Sequence, residues 1–141
     1  MYTLTYESVE AYDLTTDELK LLFETSNKKN IKENITGCLV YYHGRFIQLL
    51  EGDFENIIRL YDRIKVDERH TEVHLFSDDT ISERAFPEWV MAYFPLDRNL
   101  IAENELQKFQ SNLSVLSDLM AVDNLTARLF WRRVKFNVEQ P

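Results

Sequence analysis

An α+β fold, one open sheet with helices packed on its faces, is what the sequence predicts from three observations. Short segments of period-two alternation, such as Y-T-L-T-Y at residues 2–6, are interleaved with segments whose apolar residues recur at helical spacing. All three glycines fall between Gly37 and Gly52, a stretch that reads as two strands joined by a tight turn. A length of 141 residues, 45% hydrophobic and 28% charged, suits one soluble domain with a sizeable core.

The first strand, residues 2–6, sets Tyr2, Leu4 and Tyr6 on one face and Thr3 and Thr5 on the other. Thr15-Thr16-Asp17-Glu18 fits a capping box, with Thr15 as N-cap and Glu18 three places on. The helix after it carries Leu19, Leu22, Phe23 and Ser26. The polar run N-K-K-N-I-K-E-N at 27–34 is expected to be a loop holding Asn27, Asn30 and Asn34. Residues 35–42 and 45–51 make a hairpin that turns at His43-Gly44, where Gly44 permits a positive φ. Its second strand puts Phe46, Gln48 and Leu50 on one face and Ile47 and Leu49 on the other. A second helix starts near Asp53, carries Phe54, Ile57, Ile58, Tyr61 and Ile64 as an apolar stripe, and ends at Asp67-Glu68-Arg69-His70. Residues 73–76 read as a fourth strand and 89–94 as a fifth, stopped by Pro95. That order, β-α-β-β-α-β-β, predicts a ferredoxin-like mixed sheet with two helices on one face.

The last third is helical in pattern. Leu106, Phe109, Leu113, Leu116 and Met120 define a third helix, and a fourth runs from the N-cap Asn124 to about Val138. On the fourth, Ala127, Trp131, Val134 and Val138 form an apolar stripe beside a basic one of Arg128, Arg132 and Lys135. These two helices are expected to cover the sheet's other face. Residues 1–95 are thus the sheet-bearing core, and 96–141 a two-helix cap of the same compact unit. The net charge of −8 sets the chain against nucleic acid and anionic membrane, although residues 124–141 hold four basic residues against one acidic. A single cysteine, Cys38, excludes an internal disulfide and fits a reducing cytoplasm. No apolar run approaches a membrane helix, and the scattered histidines and cysteine have no metal-ligand spacing.

Three strands place unusual residues in phase. Tyr6 shares a face with Leu4, Gln48 with Phe46, and Trp89 with Met91. If those faces meet the first two helices, a phenol, a carboxamide, an indole and a thioether converge in one apolar pocket, with Asn30 adding a second carboxamide at the rim. Carboxamides donate and accept, so the pair suits a planar heteroaromatic ligand with an imide edge. Gln48 is the sharpest signal, because a buried carboxamide left unpaired costs about 1–3 kcal/mol. Taken singly, Tyr6, Trp89 and Met91 read first as packing, and Asp67, Arg69 and His70 can be read as a helix end paired with itself.

The motifs L-T-Y-E-S at 4–8, N-I-T-G-C-L-V-Y at 34–41, G-R-F-I-Q-L-L-E-G at 44–52, I-K-V-D-E-R-H at 64–70 and R-A-F-P-E-W-V-M at 84–91 occur in one order. In them the chain closely resembles the BLUF domains, bacterial and algal blue-light sensors that use flavin, over roughly residues 2–95. The resemblance implies a photoreceptor that binds FAD non-covalently, with FMN or riboflavin as alternatives. Tyr6 is implied to be the electron and proton donor, and Gln48 the bridge that rearranges its hydrogen bonds after light. Asn30 is implied to hold the imide edge, with Ser26, Phe46, Ile64, Asp67, Arg69 and His70 lining the ring and polyol. Trp89 and Met91 are implied to pass the signal outward, while Lys29 stands at a variable place beside Asn30. The residues after 95 are too few for a cyclase or phosphodiesterase domain. The expectation is therefore a cytoplasmic binding module, not an enzyme, that signals to a separate downstream protein, with a homo-oligomer as a further possible assembly. A flavin-dependent redox protein and a ligand-free ferredoxin-like interaction domain are the alternatives.

Overall fold

A computed structural model of the chain describes residues 1–86, 92–95, 107 and 124–139. Strand β1 (Tyr2–Glu10) leads into helix α1 (Thr16–Lys32), the hairpin β2 (Thr36–Tyr42) and β3 (Arg45–Gly52), helix α2 (Phe54–Lys65), and strand β4 (His70–Thr80). Strand β5 (Ala92–Pro95) and helix α3 (Leu125–Glu139) complete the described elements. The sheet order is β4-β1-β3-β2-β5, antiparallel except for β2 and β5, which run parallel. This is the ferredoxin-like α+β arrangement that the element order predicts.

Local chemistry explains the boundaries. The Thr15 hydroxyl accepts from the Glu18 N–H at 3.1 Å and the Glu18 carboxylate from the Thr15 N–H at 3.3 Å, so the capping box forms as read. The other end of α1 differs. The helix continues through the polar run expected to be a loop, and Asn27 and Asn30 are helical. Asn34 stops it in the left-handed region at φ 56°, with the Ile35 N–H on Asn30 O at 2.9 Å and the Asn34 N–H on Ile31 O at 3.2 Å. That reciprocal pair is a Schellman cap. The hairpin turn has positive φ at both His43 and Gly44, the geometry that matches the strands' right-handed twist. Strand β4 runs well beyond the expected 73–76, because it is held by ladder bonds to β1 rather than by an apolar pattern. Phe54, assigned to the buried stripe of α2, is largely exposed and only edges against Tyr2, whereas Ile57 and Tyr61 are buried.

The two faces of the sheet carry separate cores, as the alternation of β1 and β3 requires. One joins Leu4, Tyr6, Phe46 and Leu50 to Leu19 and Phe23 of α1 and to Ile57 and Tyr61 of α2. The other joins Cys38, Val40, Ile47 and Leu49 to Phe86 and to Ala127, Phe130, Trp131 and Val134 of α3. Thr3 and Thr5 are buried on this second face, their hydroxyls donating to Leu50 O and Gln48 O at 3.0 and 2.9 Å. Asn124 caps α3 through Oδ1 to the Ala127 N–H at 3.0 Å. Of the basic stripe, Arg128 and Arg132 are exposed; Arg133, outside the stripe, binds Glu7 of β1 through two bonds of 2.7 Å. Apart from Gln107, the helix expected around 106–120 lies outside the described residues, as do the first residues expected in the fifth strand.

Candidate functional site

Tyr6 and Gln48 are direct cross-strand partners in the β1–β3 ladder, so both side chains leave the sheet on the same face a strand apart. Both are buried, and the Tyr6 hydroxyl donates to Gln48 Oε1 in a short hydrogen bond. Gln48's carbonyl is thereby satisfied, and among the described residues no acceptor meets its Nε2 hydrogens. Burial pushes the Tyr6 phenol far above its ordinary range, and Tyr61 and Asp67 push it the same way. The proton therefore stays on the Tyr6 oxygen at neutral pH.

Helix α1 turns Leu22, Ser26 and Asn30 to one side by their i, i+4, i+8 spacing. This depends on the helical continuation through 27–32. Asn30 is 2% exposed, and no hydrogen bond joins its carboxamide to a described residue. Helix α2 contributes Leu60, Arg63 and Ile64, and β2 contributes Leu39, the neighbour of Gln48 on that side. Between these elements lies a cavity with about 790 Å³ of free space, part of it open to solvent. Tyr6, Ser26, Asn30, Phe46, Gln48, Ile64, Asp67, Arg69 and His70 all line it.

Geometry separates the roles these residues can play. His70 has both ring nitrogens engaged, Nδ1 with the Ser8 hydroxyl at 2.8 Å and Nε2 with Ile64 O at 2.5 Å. A carbonyl only accepts, so Nε2 carries a proton, and in the neutral ring Nδ1 accepts from the Ser8 hydroxyl. His70 is thus a clamp from β4 to β1 and the end of α2, and it offers the cavity a ring edge. Asp67 accepts from the Arg69 Nε at 2.9 Å and the Arg69 N–H at 3.0 Å, and these bonds hold its carboxyl below the usual carboxylate range. The pairing within the 67–70 turn and the lining of the cavity are both true of it.

Lys29, Arg63, Arg69 and Asp67 all line the cavity, three cations to one anion in a chain of net charge −8. Lys29, Arg63, Leu22, Leu39 and Leu60 are lining residues that sequence reasoning did not assign. Arg63 was overlooked because it stands beside the apolar stripe of an amphipathic helix, where a basic residue ordinarily faces water; its only other signal is its place next to Ile64. Trp89 and Met91 lie outside the described residues. Among the described residues no three His, Cys, Asp or Glu side chains are grouped to hold a metal, and no helix is long and apolar enough to cross a membrane.

The cavity fits a flat, partly polar ring system. Asn30 and Gln48 present unspent amide hydrogens from opposite elements, Leu22, Leu39 and Ile64 supply apolar walls, and the cations suit an attached phosphate. Comparison with known proteins agrees. The family model described as sensors of blue light using FAD matches residues 1–92. A photoactivated adenylate cyclase subunit beta from Euglena gracilis is 36% identical over 90 residues, 63% of this chain and 10% of the relative. A bacterial light-regulated adenylyl cyclase superposes with TM-score 0.69 at 35% identity, covering 83% of this chain and 34% of the other. BlrB, described as a BLUF protein in its dark state, superposes with TM-score 0.69 at 27% identity, covering 96% of this chain and 95% of the other. The chain spans about 10% of the length of the curated relatives it matches first.

Proposed function

We propose, from the premise that this chain belongs to the BLUF family of blue-light sensors using FAD, that Tyr6 and Gln48 form its switch and that the sheet's far face carries the response to a separate protein. The domain is a flavin-binding blue-light sensor. The observation that supports the assignment of roles is the buried Tyr6–Gln48 hydrogen bond at the floor of a cavity with two carboxamides. Bound FAD supplies absorption of blue light and, once excited, the capacity to accept an electron. Tyr6 is read as the donor of that electron and of its hydroxyl proton, which points at Gln48 Oε1. Gln48 is read as the element that keeps a memory of the event. Rotation of its carboxamide exchanges the carbonyl for the amide NH2 at the Tyr6 hydroxyl, so one hydrogen-bond arrangement replaces another after the charge has returned. Each such bond contributes about 0.5–1.5 kcal/mol. The bias available to a partner is therefore on the order of 1–3 kcal/mol, enough to change an affinity roughly tenfold.

Asn30 is read as the partner of the imide edge, and Ser26, Phe46, Ile64, Asp67, Arg69 and His70 as the wall around ring and polyol. Residues 1–95 form the sensor in this reading, with 96–141 its cap. Helix α3 supports the cap: it packs on the far face and pairs Arg133 with Glu7, next to Tyr6 in the chain but on the other side of β1. Trp89 and Met91 keep their proposed part in transmission. No enzymatic turnover is assigned to the domain, and its output is assigned to contact with another protein.

The first test is an absorption spectrum of the flavin-loaded protein before and after blue light. The expected result is a modest red shift that recovers in darkness. Because burial holds the proton on Tyr6, the shift should stay the same from about pH 6 to about pH 9, a window below the ordinary phenol value of about 10. The sign follows from linkage: a phenol raised by folding stabilises the fold fully below its unfolded value and loses that contribution only as pH climbs past it. A band that only bleaches would replace the switch with redox turnover.

Arg63 supplies a second expectation. It is half exposed and pairs with Glu33 at 3.3 Å, so its loss should hardly affect folding. Arg63→Ala should weaken FAD about tenfold and riboflavin, which has no phosphate, less than about threefold, since a charge-assisted bond contributes roughly 1.5–3 kcal/mol. Equal weakening of both, measured by fluorescence titration, would remove Arg63 from phosphate recognition.

A further inference from the structure

Glu51 stands one residue before the end of β3 and is fully buried, a rare place for a carboxylate. It is outside the cavity lining. Its Oε1 accepts from the Thr36 hydroxyl at 2.8 Å and the Phe86 N–H at 2.7 Å, and its Oε2 from the Ala85 N–H at 2.8 Å. Arg84 closes the arrangement: Nη1 donates to Thr36 Oγ1 at 2.8 Å and to Glu51 O at 3.0 Å, and Nη2 to Asn34 O at 2.8 Å. The segment so held, 84–86, belongs to no strand or helix. It is the part of the chain that leads toward β5, and its Phe86 ring lies 6.3 Å from that of Trp131 on α3, both buried.

We propose that Glu51 is a positioning residue of the signalling route: it couples β3, just beyond Gln48, to the approach to β5 and to the seat of α3. The inference rests on the reading of Gln48 as the switch. Three features support it. Glu51 and Gln48 sit on the same strand, so a displacement of β3 at one is felt at the other. All three contacts of the carboxylate are donors, and two are backbone amides, so the bond fixes the main chain of 84–86 rather than a side chain. Phe86 then joins the far-face core against Trp131, which carries any movement of 84–86 into α3 through close packing. A leucine in this place would fill the space but release both amides.

The test is hydrogen exchange on the full chain loaded with FAD, in darkness and under blue light, with the flavin spectrum recorded alongside. Glu51→Gln keeps the size of the side chain but sets an amide NH2 against the Ala85 N–H, donor against donor. In darkness it should speed exchange at Ala85 and Phe86. In light, the wild type should change its exchange in peptides covering 84–95 and 125–139. The variant should keep the red shift at full size while that light-dependent difference falls about fivefold or more. Arg84→Ala, which leaves the three donors on the carboxylate and removes the bonds to Asn34 O, Thr36 Oγ1 and the Glu51 main-chain carbonyl, should act in the same direction, and it decides the matter if Glu51→Gln does not fold. A light-dependent difference of wild-type size in either folded variant overturns the proposal, as does loss of the red shift in Glu51→Gln, which would make Glu51 part of the chromophore site. A wild type with a red shift but no light-dependent exchange in those peptides overturns the coupling alone. A wild type with no red shift overturns the switch reading beneath it.

Discussion

Tyr6→Phe is expected to abolish the light-induced red shift while leaving the protein yellow. The substitution removes one oxygen from a side chain that is 3% exposed and keeps the ring that packs 5.6 Å from Tyr61. The cavity's shape, its cations and both carboxamides remain, so flavin affinity should change by less than about threefold. What goes is the hydroxyl that donates to Gln48 Oε1, and with it the transferable proton and the easily oxidised phenol. Gln48 then has a buried carbonyl without its donor, costing about 1–3 kcal/mol of stability. Spectra before and after blue light decide the matter; a red shift of wild-type size in Tyr6→Phe would take the switch away from this pair. The companion substitution Gln48→Leu should give the same spectral silence for a different reason. It preserves the phenol and removes the group that can hold two arrangements.

How much of this was readable in the residues follows from where each signal resides. Tyr6 and Gln48 were legible because strand alternation is strict: once each shares a face with its apolar neighbours, a cross-strand pairing brings them together. The two-glycine-bounded hairpin and helix α2 were legible for the same reason, period and turn chemistry acting locally. The end of α1 was not. Its last turns carry lysines and asparagines whose helicity depends on Asn34 adopting the left-handed cap and on Asn30 turning inward, a tertiary choice that polarity conceals. Strand β4 was underestimated because an edge strand paired with β1 needs no apolar rhythm. Arg63 and Lys29 were hidden by the ordinary solvation of helix surfaces. Glu51 appeared in a motif yet received no role, since its donors, Ala85 and Phe86, come from a distant part of the chain.

Gly37→Ala is expected to cause the largest loss of stability among single methyl additions to this chain's glycines. A Cβ on Gly37 would stand 1.9 Å from Leu49 O, 2.9 Å from Leu49 C and 3.3 Å from Leu50 Cα. All three are backbone atoms of β3, so no side chain can swing aside. The residue's φ of 154° adds strain for any residue with a Cβ. Relief requires β2 and β3 to part around the Gly37–Leu50 pairing, with loss of ladder bonds next to the strand that carries Gln48. The expected cost exceeds about 3 kcal/mol, placing it in the long tail of point substitutions. For a chain of this size that lowers the thermal midpoint by roughly 10 °C or more. Gly44→Ala is the control within the same hairpin. Its Cβ would meet Glu10 Oε1 at 2.7 Å, the far end of a flexible side chain that can move. Its positive φ of 76° still disfavours alanine, so a cost of about 1 kcal/mol is expected there. Thermal unfolding of both variants checks the contrast, and a Gly37→Ala midpoint within a few degrees of wild type would show that β2 and β3 are not held as closely as the ladder implies. The contrast bears on the switch as well. The close approach at Gly37 holds β2 against Leu49 and Leu50 of β3, between Gln48 and Glu51, and leaves the strand little room to yield toward β2. Under the proposed switch, a displacement starting at Gln48 would then run along β3 rather than across the sheet.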